Sequence, residues 1–307
     1  MKKKYRAKKR IRSSAGPLLV AVLLLLAVGI IFNFERITGL INAGKVEDIS
    51  AFSADVGALP DYSGSPYCTV NGNKAQFDSV LIDKARKGSF EDYSSLDKHG
   101  RCVGATICAS RETMPGEGVS RGDISSVHPS GWKSGMGWER CHLIAWSIGA
   151  EDANDCNLIT GTHYLNVEGM LPFEQKITSY INQTDNHVLY QVTPIYDGKN
   201  LIASGVHMQA WSVEDKGRGV NFNVYCYNVS PSVTIDYKTG VVVELDSEGK
   251  PMQYEERNYI LNTNSHKFHY PSCKGAADIS AHNRKEVKAR RNDLIAQGYE
   301  PCGICEP

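Results

Sequence analysis

Four side chains near the middle of the chain have the types and spacing of a hydrolytic site. Arg140 and His142 lie two residues apart, Asn166 follows twenty-four residues after His142, and Glu174 eight residues later. A neutral imidazole can take a proton from water. The asparagine carbonyl and the glutamate carboxylate can hold a hard cation, directly or through its water shell. The arginine can bind a phosphate oxygen. Together they could carry out metal-assisted hydrolysis of a phosphodiester, with the cation polarising the phosphoryl oxygen. Taken singly, each has a plainer role: a core histidine, a capping asparagine, a solvated helix glutamate. Their joint spacing makes the catalytic case.

The spacing requires particular elements. Residues 162–181 read as a helix whose apolar positions Leu165, Met170, Phe173, Ile177 and Ile181 recur at steps of three, four and five. On it Asn166 and Glu174 stand two turns apart on one side. His142 opens a short apolar run, 141–146, that reads as a strand or strand edge facing the helix. Residues 111–137, rich in Gly, Ser and Pro, read as a long loop that delivers Trp132 and Lys133 to the site, with Lys133 a candidate phosphate contact. Residues 67–70 followed by Asn71-Gly72 predict a strand entering a type I′ hairpin turn. Residues 102–109 predict a core strand, and 188–196, 201–209 and 222–227 an antiparallel meander. The fold class is α+β, built on an antiparallel sheet. Strand-like residues 233–237 and 241–245 either close that sheet or link it to the tail.

The 307 residues are enough for one full core and a small second one, and the formal net charge of zero hides an uneven distribution. Residues 1–14 hold eight Lys or Arg and no acid, and 15–32 are uncharged and rich in Leu and Val. That pattern predicts a cytoplasmic basic tail (1–14), a transmembrane anchor (15–34) and a tether (35–59), with the rest outside the cell membrane. Residues 45–257 carry 18 basic and 28 acidic residues, which disfavours tight non-specific binding of a polyanion.

Near the end, His269 and Cys273, then Cys302 and Cys305, form two short ligand pairs separated by twenty-eight residues. This is the spacing of a closed tetrahedral zinc site, which could staple a segment too short to fold on apolar burial alone. The six remaining cysteines, Cys68, Cys102, Cys108, Cys141, Cys156 and Cys226, allow up to three disulfides outside the cell.

Glu139-Arg140-Cys141-His142, with Asn166 and Glu174, resembles the signature of the DNA/RNA non-specific endonucleases of the ββα-metal type. Asn157-Leu158-Ile159, residues 191–196 and residues 222–225 extend the likeness, which is nearest to a membrane-attached streptococcal branch. The resemblance implies a ββα-metal finger over residues 60–257, with His142 as general base, Asn166 binding magnesium (or manganese or calcium) and Glu174 supporting the metal's water shell. It implies cleavage of DNA and RNA. Two positions depart from the signature: Glu139 stands for an Asp, and Cys141 for a Gly that lets the backbone bend freely. Residues 258–307 resemble the zinc domain of Ada-type repair proteins, with His269 in place of the first cysteine, so a structural zinc site is implied without repair chemistry. A different class of function, a surface protein that captures nucleic acid without cutting it, fits the acidic body and Cys141.

Overall fold

The structure is a computed structural model that describes the strand Asp48–Ile49 and residues 58–307 except 251, 253 and 254. The expected basic tail, membrane anchor and all but a few residues of the tether lie outside the described residues. Among the described residues no helix is long and apolar enough to cross a membrane.

The main sheet has seven strands: β1 (Asp48–Ile49), β2 (Tyr67–Val70), β3 (Phe90–Tyr93), β4 (Ala105–Ala109), β7 (Val188–Ile195), β8 (Gly205–Ser212) and β9 (Asn221–Tyr227), in the order β1-β2-β9-β8-β7-β4-β3. All neighbours are antiparallel except β1 and β2. The expected meander is therefore present as β7-β8-β9. Its strands are buried almost throughout, because they are runs of β-branched, aromatic and aliphatic residues covered on both faces. Asn71-Gly72 does not make the expected hairpin. Asn71, Gly72 and Asn73 all adopt positive φ in a single tight turn, and β2 pairs instead with β9, about 150 residues away.

One face of the sheet is covered by a two-stranded ribbon, β5 (Glu139–His142) and β6 (Leu158–Gly161), and by the helix that follows it. That helix begins as one wide π segment, Tyr164–Met170, and continues as the α-helix Leu171–Thr184. The Leu171 amide donates to the Asn166 carbonyl, five residues back. This wide turn explains the five-residue step from Leu165 to Met170: both side chains reach the same core, with Phe173, Ile177 and Ile181 below them. Phe173 meets Tyr67 and Phe222 at ring distances of 4.9 Å each, which fixes the helix to strands β2 and β9.

Strands β10 (Val233–Asp236) and β11 (Val241–Glu244) form a separate hairpin, so they do not close the main sheet. They lead to a second sheet of β12 (Arg257–Asn262), β13 (Lys267–His269), β14 (Arg284–Ala289) and β15 (Glu300–Pro301), in the order β14-β12-β13-β15. Its core residues Tyr259, Leu261, Phe268, Leu294 and Ile295 join Met136, Trp138 and Ile202 of the preceding body in one apolar cluster. The C-terminal segment is thus seated on the residues that lead directly into β5.

Candidate catalytic and metal centres

The ribbon and the π segment place the side chains that the sequence singled out. In β5 successive side chains alternate, so Arg140 and His142 share one face and Glu139 and Cys141 the other. Just past the strand, Asn157 is fully buried and clamps the chain: its Oδ1 accepts from the Ile144 amide at 2.8 Å and its Nδ2 donates to the Ile144 carbonyl at 3.0 Å. This fixes the exit from His142.

His142 is 7% exposed. Its Nε2 lies 3.2 Å from the Asp152 carbonyl oxygen, and its Nδ1 lies 3.1 Å from the Arg121 guanidinium. A carbonyl can only accept and a guanidinium can only donate. The neutral ring therefore carries its proton on Nε2, and its Nδ1 lone pair accepts from Arg121. Burial first, and then the Arg121 charge, holds the imidazole down at about 4, so it is neutral above that pH. This is the electronic state a general base needs. Arg121 itself lies in the Gly- and Ser-rich loop, a position that no local pattern distinguishes, and was not anticipated.

Asn166 is joined to Glu139, with its Nδ2 donating to Oε2 at 2.8 Å, while Glu139 Oε1 meets His163 Nδ1 at 2.6 Å. Because the carboxylate can only accept, the amide orientation is fixed and Asn166 Oδ1 is turned away from Glu139 as a free hard oxygen. Glu139 thus supplies the orienting contact behind a candidate metal ligand. No hydrogen bond joins Asn166 to His142 among the described residues; they are held separately by Glu139 and by Asp152.

Glu174, Arg140 and Lys133 occupy three different settings. Glu174 is 6% exposed, at the start of the α-helix beside Phe173, and not on a solvated helix face. Burial alone pushes its carboxyl up to about 8, and its charge acts on Cys141, Tyr190 and Cys226, all core residues. It lies beneath the ribbon. Arg140 spends its Nε on the Val127 carbonyl at 2.5 Å and one terminal nitrogen on the Ser125 carbonyl at 2.8 Å, and its guanidinium stacks 4.0 Å over Trp132. Two of its five N–H donors hold the long loop, and Arg121 is the guanidinium beside the histidine. Lys133 belongs to a stretch turned to the C-terminal segment, since Ser134 next to it hydrogen-bonds Glu300 at 3.3 Å.

Cys141 is fully buried and does not have positive φ, so the glycine of the signature is not needed here for backbone freedom. Its sulfur occupies space opposite Gly161, where any Cβ would collide with it. All nine cysteines are free thiols, and the expected disulfides do not form. Cys102, for example, points its thiol at the Asp155 and Leu158 carbonyls, 3.1 Å from each.

The four C-terminal ligands do converge. One donor atom each from His269, Cys273, Cys302 and Cys305 lie within 4.8 Å of one another. His269 Nδ1 is buried with no hydrogen-bond partner, a costly state for a polar atom that a metal bond would relieve. Burial alone would raise the Cys302 thiol, but the backbone amides of Ile304 and Cys305 outweigh it and hold the thiol below its ordinary value. These are the properties of a Cys3His cluster able to hold a metal ion.

Residues 81–214 match the model of the DNA/RNA non-specific endonuclease family. Among solved structures, the chain is similar to the Sda1 nuclease with bound zinc ion, at 25% identity and TM-score 0.50 over 57% of this chain and 95% of that one. It is also similar to NucA from Streptococcus agalactiae with no metal bound, at 22% identity and TM-score 0.50 over 62% of this chain and 92% of that one. No curated protein sequence matches it.

Proposed function

We propose that the chain is a metal-dependent nuclease of the DNA/RNA non-specific endonuclease family, whose model residues 81–214 match, and that it cuts DNA and RNA internally with His142 as general base. The observation that carries the assignment is the fixed tautomer of His142: the Asp152 carbonyl holds the Nε2 proton, and the Nδ1 lone pair, covered by Arg121, can take a proton from water once that guanidinium shifts. Arg121, now at Nδ1, is placed to move onto a phosphate oxygen as substrate enters. Asn166 Oδ1, oriented by Glu139, would hold magnesium, or manganese or calcium in its place. Such a cation would polarise the phosphoryl oxygen and steady the leaving 3′-oxygen. Glu174 supports the site from under the ribbon, not from the solvent side.

Zinc suits the C-terminal cluster, since three thiols and one imidazole form a soft, closed set that leaves no position for substrate. The basic stretch and the apolar run at the N-terminus support a membrane anchor with the nuclease on the outer side of the cell membrane.

Plasmid nicking by the full chain under magnesium titration tests the assignment. Wild type should nick and linearise DNA, and degrade RNA, only with a divalent cation. Undiminished nicking by His142→Ala would overturn the role of that residue.

A further inference from the structure

A recess near the catalytic ribbon lies where the C-terminal segment meets it. A cavity of about 240 Å³ is lined by Trp138, His163 and Tyr164 together with Glu244, Arg291 and Asn292. Trp138 directly precedes Glu139. His163 binds Glu139 at 2.6 Å, and Tyr164 stands two residues before Asn166. Through His163, the cavity therefore reaches the Glu139 end of the Glu139–Asn166 contact. Part of its lining comes from β11 and from the start of the C-terminal helix Arg291–Ala296, beyond residue 214 where the family match ends.

We propose that this cavity is a nucleobase subsite, which receives the base of a nucleotide next to the bond being cut. The inference rests on the nuclease reading above and adds a substrate contact supplied by the C-terminal segment. The volume lies below the roughly 300–1,000 Å³ of drug-sized pockets and suits a single planar ring system. The polar tips of the two aromatic rings are already engaged: Trp138 Nε1 donates to the Gly240 carbonyl at 2.8 Å, and Tyr164 Oη accepts from Tyr62 Oη at 3.1 Å. What these residues offer the cavity is apolar ring surface, the material on which bases stack. In the same lining one guanidinium and one carboxylate nearly cancel, so the cavity is a poor sink for a phosphate and a good match for a neutral edge bearing both donors and acceptors. Arg291 Nε is held by the Pro307 carbonyl at 2.7 Å, which leaves its terminal nitrogens to donate. Among the described residues Glu244 takes part in no ion pair, so its oxygens remain available to accept. Asn292 donates to the Val242 carbonyl at 3.3 Å and keeps its own carbonyl for a ligand.

Two variants of the full chain test this: Ser230→Phe, which fills the cavity from its rim, and Asn292→Ala, which removes only polar atoms. Each should raise KM for a short single-stranded oligonucleotide by roughly five- to tenfold, the low end of what one stacked base contributes. Each should leave hydrolysis of bis(p-nitrophenyl) phosphate, which has no flanking base, unchanged. In a His142→Ala background, a 2-aminopurine trinucleotide should show saturable fluorescence quenching that both variants weaken. If wild type cleaves both substrates while both variants keep the wild-type KM and quenching, the subsite is wrong and the nuclease reading stands. If wild type cleaves neither, the nuclease reading fails and this proposal with it. Asn292→Ala carries the test alone if melting shows that Ser230→Phe unfolds.

Discussion

The catalytic ribbon and the C-terminal cluster are both sets of polar side chains gathered on short elements, but they satisfy those side chains in opposite ways. In the cluster the four donor atoms face one another within 4.8 Å, and His269 Nδ1 has no other partner. In the ribbon each side chain already has a protein partner: His142 has the Asp152 carbonyl and Asn166 has the Glu139 carboxylate. Beyond these contacts the His142 Nδ1 lone pair meets the Arg121 guanidinium, and Asn166 Oδ1 is left over. A structural metal site can rely on the ion for its rigidity, whereas a hydrolytic site must be rigid before ion, water and substrate arrive.

That contrast yields predictions that differ in kind as well as size. Stripping metal from the cluster, or Cys302→Ser, removes a term on the order of 10 kcal/mol from the C-terminal segment. Amide exchange should then rise sharply across Arg257–Asn262 and Lys267–His269 while β7–β9 stay protected; unchanged exchange would mean that the cluster needs no ion. His142→Ala should lower kcat by roughly 10²- to 10⁴-fold with little change in Tm, because the base is not what holds the ribbon. A large fall in Tm would erase the distinction between the two regions. Glu139→Ala should weaken magnesium affinity by about 10- to 100-fold, with kcat recovering at saturating metal, since it frees the Asn166 amide to rotate.

A pH series sharpens the same comparison. His142 and His207 are both held at about 4 in the fold, with burial the main cause, against an ordinary value near 6.5. The unfolded chain therefore binds more protons between those values. The stability these groups contribute is complete above about pH 6.5 and drains away as pH falls towards 4, which denaturant melts at several pH values would show. The acid limb of kcat/KM should likewise lie near 4 and not near 6.5. The smallest effect is expected from Arg140→Ala, about 1–3 kcal/mol of stability from the lost carbonyl contacts and the Trp132 stacking. The salt dependence of DNA binding should be unaltered, whereas Arg121→Ala should flatten it.

What could be read from the sequence followed from local chemistry. The meander strands announced themselves by apolar runs, and the C-terminal ligands by pairs of short spacing; both are present. The five-residue step from Leu165 to Met170 already contained the wide turn, although a regular helix was expected there. Contacts across long separations were not legible. Arg121 reaches His142 from a loop without periodicity, and β2 closes on β9 when Asn71-Gly72 suggested a local hairpin. Arg140 has the residue type to bind phosphate, and only the positions of Ser125, Val127 and Trp132 show that two of its donors and one face of its guanidinium hold the loop. Glu174 was placed by its spacing, but its depth depends on how the helix is rolled against Cys141 and Tyr190.

Cys141 and Gly161 illustrate how such a core records its history. The thiol fills the space that a side chain at 161 would need, and the bare α-carbon at 161 is what admits the thiol. Neither position is free to vary alone in the direction of greater bulk. Gly161→Ala should be severe in this chain, yet mild once Cys141→Gly has been made first. The two sites form a pair in which the order of substitution decides whether an intermediate survives, so a lineage that has taken the cysteine can reach a larger residue at 161 only by giving the cysteine back.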